Sequence, residues 1–342
     1  MQLPNEVEAL IVGAGPIGIA CAISARRRGI EPLLIDAGPL AHSIVRYPVG
    51  MTFFTTPERL EIGDHPLTCS GAKATREEAL KYYRGVVRTE GLAFRTGVGL
   101  TDISRVDGQL VASVSTSHGA ATIRAGRIVL ATGYFDHANR LEVPGESLPH
   151  VSHWFVEPHT LAGLDVVVVG GKNSAVESAL QAWRAGARVT LVHRGETLGS
   201  SVKYWLRPDL ENRIRAGEIG ARFGATVTAI TPEAVEIVHA GGPESLPADR
   251  VFPLIGYHPD FALLERIGIA LEPGTGRAVV DPDTLESSVP GVHLAGSVAT
   301  GRKISEVFIE NGRLDGEKIF GDARSRAQAE ARYASSLRPK GE

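Results

Sequence analysis

The chain has 342 residues, more than one ordinary core accommodates, which points to two domains. Apolar residues make up 43% and charged residues 22%, the mix of a soluble globular protein, and a net charge of −3 argues against nucleic acid or an anionic membrane as partner. No apolar run approaches the length that spans a bilayer, and two cysteines, Cys21 and Cys69, are too few for a disulfide framework or a CxxC pair.

The opening stretch, MQLPNEVEALIVGAG, lacks the basic start and cleavage site of a secretion signal, so a cytoplasmic protein is expected. Glu8 to Asp36 then reads as strand, tight glycine turn, helix, strand. Gly13 permits the turn, Gly15 lets backbone approach a pyrophosphate, and Gly18 lets the helix pack close to the strand. The helix N-terminus offers free N–H groups and partial positive charge to a diphosphate. Asp36 stands at the end of the second strand, where a carboxylate takes the ribose hydroxyls of an adenosine. Glycine turns alone are common, but here strand, helix, second strand and terminal acid are in register.

The next segment gathers Tyr47, Thr52, Phe53, Phe54 and Thr55. Two readings stay open: a loop that wraps a cofactor ring, or a loop anchored by Phe53 and Phe54 in the core. Residues 74–90 predict an amphipathic helix with Ala79, Tyr82, Val86 and Val87 inward, and Leu92 to Phe94 a short strand. Between 98 and 131, Val106-Asp107-Gly108-Gln109 and Ser117-His118-Gly119 read as hairpin turns of a three-strand insertion. Arg127 to Leu130 is then a separate buried strand, ended by Ala131-Thr132-Gly133. In two-dinucleotide flavoproteins this order closes the FAD domain, with the glycine turn near the cofactor.

A second strand–turn–helix–strand unit begins near Leu161. Val166 to Val169 form its first strand, Gly170-Gly171-Lys172-Asn173-Ser174-Ala175 its turn, and Arg188 to Val192 its next strand, ending in His193-Arg194. Lys172 holds the central glycine position, placing charge near a phosphate or facing solvent. Ala175 holds the third and still allows close packing. An acid at the end of the second strand favours a free ribose 2′-hydroxyl, whereas a base accommodates a 2′-phosphate. The first unit therefore suits FAD and the second NADPH. Short strands return over 221–255, and Gly256 to Asp260 reads as a domain crossover. Gly291 to Gly296 is one more buried strand ending in glycine. A helix is expected from about Ile304, and the tail after Asp322 as helical, then frayed.

These landmarks resemble the flavoprotein disulfide reductases of the low-molecular-weight thioredoxin-reductase fold, and among them the YpdA family of bacillithiol-disulfide reductases. The resemblance is carried by GAGPIG at 13–18, YPVGMTFFTTPERLEIGD at 47–64, ATGY at 131–134 and GGKNSAVESAL at 170–180, with SVKYWLRP at 201–208, IGYHPD at 255–260 and FIENG at 308–312. It implies an α/β chain of two Rossmann-like (three-layer ββα) dinucleotide-binding domains: FAD in 1–150 and 258–342, NADPH in 151–257. The implied FAD residues are Gly13, Gly15, Pro16, Gly18, Asp36, Thr52, Phe53, Thr132, Gly133 and Gly296. The implied NADPH residues are Gly170, Gly171, Lys172, Asn173, Ser174, Ala175, His193, Arg194 and Lys203. A cytoplasmic homo-oligomer is expected, with no metal.

Two departures from the family stand out. Its members often carry a cysteine in the first turn as the proposed redox partner; here that position is Ile17. Thioredoxin reductases proper have a CxxC in the second module, and this chain has none. Cys21, one helical turn beyond Ile17, sits in the Ala-rich run and reads as a packed hydrophobe rather than a redox group. Cys69 reads as a surface or half-buried thiol. His150 and His153 lack further ligands at metal spacing. The chain is thus expected to pass hydride from NADPH to flavin and on to an acceptor. By resemblance that is a bacillithiol-type disulfide. A ferredoxin or flavodoxin carrier, oxygen as in a flavin monooxygenase, and a non-catalytic FAD/NADPH redox sensor are the alternatives.

Overall fold

Residues 3–336 are described in a computed structural model, and they form two compact units. One comprises residues up to 46, 50–137 and 257 onward; the other comprises 47–49 and 138–256. The first unit begins β1 (Glu6–Val12), α1 (Pro16–Arg26), β2 (Pro32–Asp36), α2 (His42–Val45), α3 (Pro57–Leu60) and α4 (Arg76–Thr89). Four strands follow: β3 (Ala93–Thr96), β4 (Gly99–Val106), β5 (Gln109–Thr116) and β6 (Gly119–Leu130). The second unit carries β7 (Asp165–Val169), α5 (Asn173–Arg184), β8 (Arg188–His193), α6 (Arg207–Arg215) and β9 (Gly220–Phe223). It continues with β10 (Thr226–Ile230), β11 (Ala234–His239), β12 (Gly242–Pro247) and β13 (Arg250–Pro253). The chain returns to the first unit through α7 (Phe261–Ile267), β14 (Val292–Leu294), α8 (Ile309–Gly312), α9 (Asp315–Phe320) and α10 (Ala323–Ser336).

In the first unit the sheet order is β3-β2-β1-β6-β5-β4, with β14 also paired to β6. β1 lies between parallel neighbours β2 and β6, so Ala9 to Val12 are buried on both faces and the stretch is an unbroken apolar run. Helix α1 packs against β2 and α9, which buries Gly18 to Ala25 and accounts for its small residues. The two hairpin turns fall where expected, at 107–108 and 117–118, and Asp107 and Gly108 supply the positive φ such turns need (49° and 82°).

Several expectations need correction. The third hairpin strand and the strand ending in Ala-Thr-Gly are one element, β6: its first half pairs antiparallel with β5 and its second half parallel with β14. In α4 the buried tyrosine is Tyr83, whose hydroxyl donates to Leu60 O (2.9 Å); Tyr82 is half-buried and donates to His65 O (2.7 Å). The α8 helix starts at Ile309, not 304. The contacts divide the two compact units at 137/138, where the expected domain boundary is 150/151, and Leu141, Val143 and Leu148 pack against the core of the second unit. The tail is helical through Ser336, and the expected fraying falls outside the described residues.

The second unit has three layers. The parallel sheet β13-β7-β8-β9 carries α5 on one face, where Val166, Val168 and Leu191 meet Ala175, Ala179 and Leu180. Its other face, Val167, Val169 and Val192, meets Val227, Ile237 and Leu246 of the antiparallel sheet β10-β11-β12.

Candidate functional site

Strands β1, β2, β6 and β14 run parallel, so their carboxyl ends share one edge, where open α/β sheets bind ligands. Gly13, Gly15, Pro16 and Gly18 follow β1, Asp36 closes β2, Thr132 and Gly133 follow β6, and Gly296 follows β14. Backbone hydrogen bonds stitch this edge: Gly13 N–H to Ile35 O (2.7 Å), Ala131 N–H to Val12 O (2.7 Å) and Ala295 N–H to Leu130 O (2.8 Å).

Gly13 (φ 106°) and Gly18 are closed positions: a Cβ on the first would overlap Ala131 O, and on the second Gly13 O. Gly15 is the opposite. It precedes α1 with φ −80° and ψ 177°, and a Cβ there meets no atom within 4 Å. No side chain caps α1, and Pro16 fills a first-turn position that needs no N–H donor. An open face above an uncapped helix start fits a diphosphate. Asp36 does more than its position at the strand end predicts. Its Oδ2 accepts the Ala14 N–H (2.8 Å) and its Oδ1 the Gly38 N–H (2.8 Å), so it braces the turn, with lone pairs left for hydroxyls. Burial raises its pKa; those two hydrogen bonds pull the other way without cancelling it.

Thr52 is exposed and bridged to Thr75, while Phe53 is buried with its N–H donating to Ala74 O (2.9 Å). Phe54 is only half-buried. The half-buried Ile17 packs between two glycines: a Cβ on Gly296 would lie 2.5 Å, and on Gly312 2.6 Å, from its Cδ1. Cys21 is 0% exposed at the α1–α9 contact. Burial pushes its thiol well above the usual range, and the carboxylates of Asp315 and Glu317 add to the effect. Cys69 is half-buried and its Sγ donates to Gly71 O (3.1 Å).

Asp315 stands at this edge and was missed by sequence reading, since an Asp in the stretch LDGEK carries no signal. It is half-buried, and its Oδ2 accepts the Gly296 N–H (2.6 Å). Burial pushes its carboxyl up to about 7, against that hydrogen bond. A pKa raised on folding favours the folded state at low pH and loses that favour as pH rises through 7. Asp315→Asn should therefore raise the melting temperature more at pH 8 than at pH 5. An equal change at both pH values would contradict this.

The second edge is built on β7 and β8. Gly170 takes φ 145°, and a Cβ there would lie 2.6 Å from Leu254 O and 2.8 Å from the Ala175 Cβ, so this glycine makes the close packing possible beside the fully buried Ala175. The His193 imidazole covers Gly171, where any side chain would run into it. Burial, then the Arg194 guanidinium, hold His193 below the usual histidine range, which favours its neutral form. Arg194, Lys172 and Ser174 are exposed. Asn173 turns instead to a later loop: its Nδ2 donates to Ser201 O (3.1 Å) and its Oδ1 accepts the Lys203 N–H (2.9 Å). Lys203 thereby joins the edge, with its Nζ 5.9 Å from the centre of the Trp205 ring.

His153 is buried, with its Nε2 2.8 Å from Arg140 Nη1 and 3.3 Å from Glu146 Oε1. Among the described residues no group of three or more His, Cys, Asp or Glu could hold a metal, and no helix is long and apolar enough to cross a membrane. A cleft of about 660 Å³, lined by Leu3, Glu6, Glu31 and Arg95, opens at the amino ends of β1 and β2, away from the glycine turn.

The family model described as pyridine nucleotide-disulphide oxidoreductase matches residues 10–296. The bacilliredoxin reductase Bdr of Bacillus subtilis (strain 168) is 39% identical over 324 residues, 94% of this chain and 98% of its own. The structure of the bacillithiol disulfide reductase Bdr (YpdA) from Bacillus cereus is 37% identical, with a TM-score of 0.90 over 94% of this chain and 99% of its own. A ferredoxin–NADP reductase of Ignicoccus hospitalis is 28% identical over 92% of this chain and 97% of its own. The chain belongs to the pyridine nucleotide-disulphide oxidoreductase family and is a flavoenzyme oxidoreductase of the thioredoxin-reductase-like fold, with FAD and a nicotinamide nucleotide as cofactors.

Proposed function

We propose that the chain is an NADPH-dependent reductase, with FAD held by the first unit and NADPH by the second. One observation carries this reading: the two equivalent strand ends differ, with Asp36 bound to its turn in the first and Arg194 exposed in the second. Flavin supplies the two-electron chemistry when bound. The chain's own work is positioning. The start of α1 faces the diphosphate over Gly15, and Asp36 accepts from ribose hydroxyls. Arg194 pairs with a 2′-phosphate, and His193 screens Gly171.

The names of two solved relatives point to a bacillithiol-type disulfide as acceptor. A second reading, a protein electron carrier, is favoured by the apolar Ile17 in the first turn and the inaccessible Cys21, since transfer to a carrier needs no thiol. Anaerobic stopped-flow reduction by NADPH, followed by reoxidation with disulfides, carriers and oxygen, tests the proposal and ranks the acceptors. A Cys21→Ala, Cys69→Ser double variant should keep near wild-type NADPH-driven reduction of ferricyanide or a quinone. Efficient wild-type turnover of bacillithiol disulfide that vanishes in Cys21→Ala would reverse this and make Cys21 a redox thiol.

A further inference from the structure

We infer that Trp205, with Tyr204 edge-on beside it, forms an aromatic platform for the purine of the nicotinamide nucleotide, and that Asn173 positions this platform; the inference rests on assigning the second edge to NADPH. The loop 194–206 leaves β8 at Arg194, on the side where a dinucleotide fold reads the ribose 2′ position of the adenosine half. It then returns over the turn, with Gly199 N–H donating to Gly171 O (2.9 Å). Arg207 Nη2 donates to Gly199 O (2.7 Å) from the far side. Asn173, in the first turn of α5, engages Ser201 O and the Lys203 N–H with opposite ends of its amide. That amide acts through the loop.

What the loop presents is unusual for a free surface. Tyr204 is 75% and Trp205 37% exposed, with ring centres 4.9 Å apart at 88°. Lys203 lies beside Trp205, and a Cβ on Gly199 would sit 3.5 Å from Lys172 Cγ, which places that lysine against the same loop. A flat indole, braced edge-on by Tyr204 and bordered by cations, complements a phosphorylated purine nucleoside, because every base has a π-face and every phosphate a charge. The patch is too polar for a lipid or apolar protein face: Ser200 and Ser201 beside it are exposed.

The test uses the full-length flavoprotein titrated with adenosine 2′,5′-bisphosphate, followed by calorimetry and tryptophan fluorescence. Wild type should bind with quenching. Trp205→Ala should weaken binding about tenfold and remove the quench, while Trp205→Phe retains most of the affinity. Binding of 5′-AMP should weaken by the same factor in Trp205→Ala, since the base is the shared part. Asn173→Ala should raise the apparent Kd for NADPH in flavin reduction and leave the limiting rate unchanged. Wild-type affinity in Trp205→Ala, or a lowered limiting rate with unchanged Kd in Asn173→Ala, would overturn the platform. Failure of the wild type itself to bind the bisphosphate would sink the NADPH assignment and the platform with it.

Discussion

Gly15→Val is expected to yield a folded protein that purifies without flavin. The backbone at Gly15 (φ −80°, ψ 177°) is extended and suits a β-branched residue, and a Cβ there meets no atom within 4 Å. Nothing in the fold should resist the substitution. The new side chain would instead fill the space over the start of α1 that a diphosphate needs. Gly18→Val is the contrasting control. Its Cβ would overlap Gly13 O, so that variant should fail to fold rather than fold without cofactor. Visible absorbance, extracted FAD per chain and a thermal melt separate the outcomes. A Gly15→Val protein with one FAD per chain would remove the diphosphate from this turn.

Arg194→Ala should raise the KM for NADPH by roughly tenfold to a hundredfold and leave that for NADH nearly unchanged. Hydrogen bonds to a charged group contribute about 1.5–3 kcal/mol each way of counting, and a guanidinium presents two to one phosphate. The exposure of Arg194 places the effect at the lower end and makes it shrink with added salt. Arg194→Lys should recover only part of the loss, because an ammonium is a point charge without the planar fork. Equal use of NADPH and NADH by the wild type would end this assignment.

Both glycine turns were legible because they are local: strand, turn and helix follow one another within residues 6–26 and 165–184, and Gly13 and Gly170 take the positive φ that other residues avoid. Asp36 was legible for its place but not for its bond to Ala14, which needs the folded turn. The hairpins were readable from Asp107-Gly108. The unity of β6 was not, because its first half alternates against β5 while its second half is buried on both faces, and two patterns suggest two strands. Tyr82 and Tyr83 are adjacent, so a small error in the helix phase exchanges them. Asn173 looked like a ligand in a glycine-rich turn; its partners lie 28 and 30 residues further on. Asp315 is marked only by its bond to Gly296, 19 residues earlier in the chain.

The position of β6 between β1 and β14 has a consequence for biosynthesis. The first unit cannot complete its sheet until residues 292–294 have left the ribosome, whereas residues 138–256 are nearly all of the second unit and emerge as one stretch. The inserted unit should fold while the outer one still waits for its last strand, and flavin uptake should come late, because the Gly296 turn forms only when β14 docks. Nascent chains halted after residue 280 should then resist protease across 138–256 and bind no flavin. Retention of flavin by such chains would show that the early strands hold it unaided.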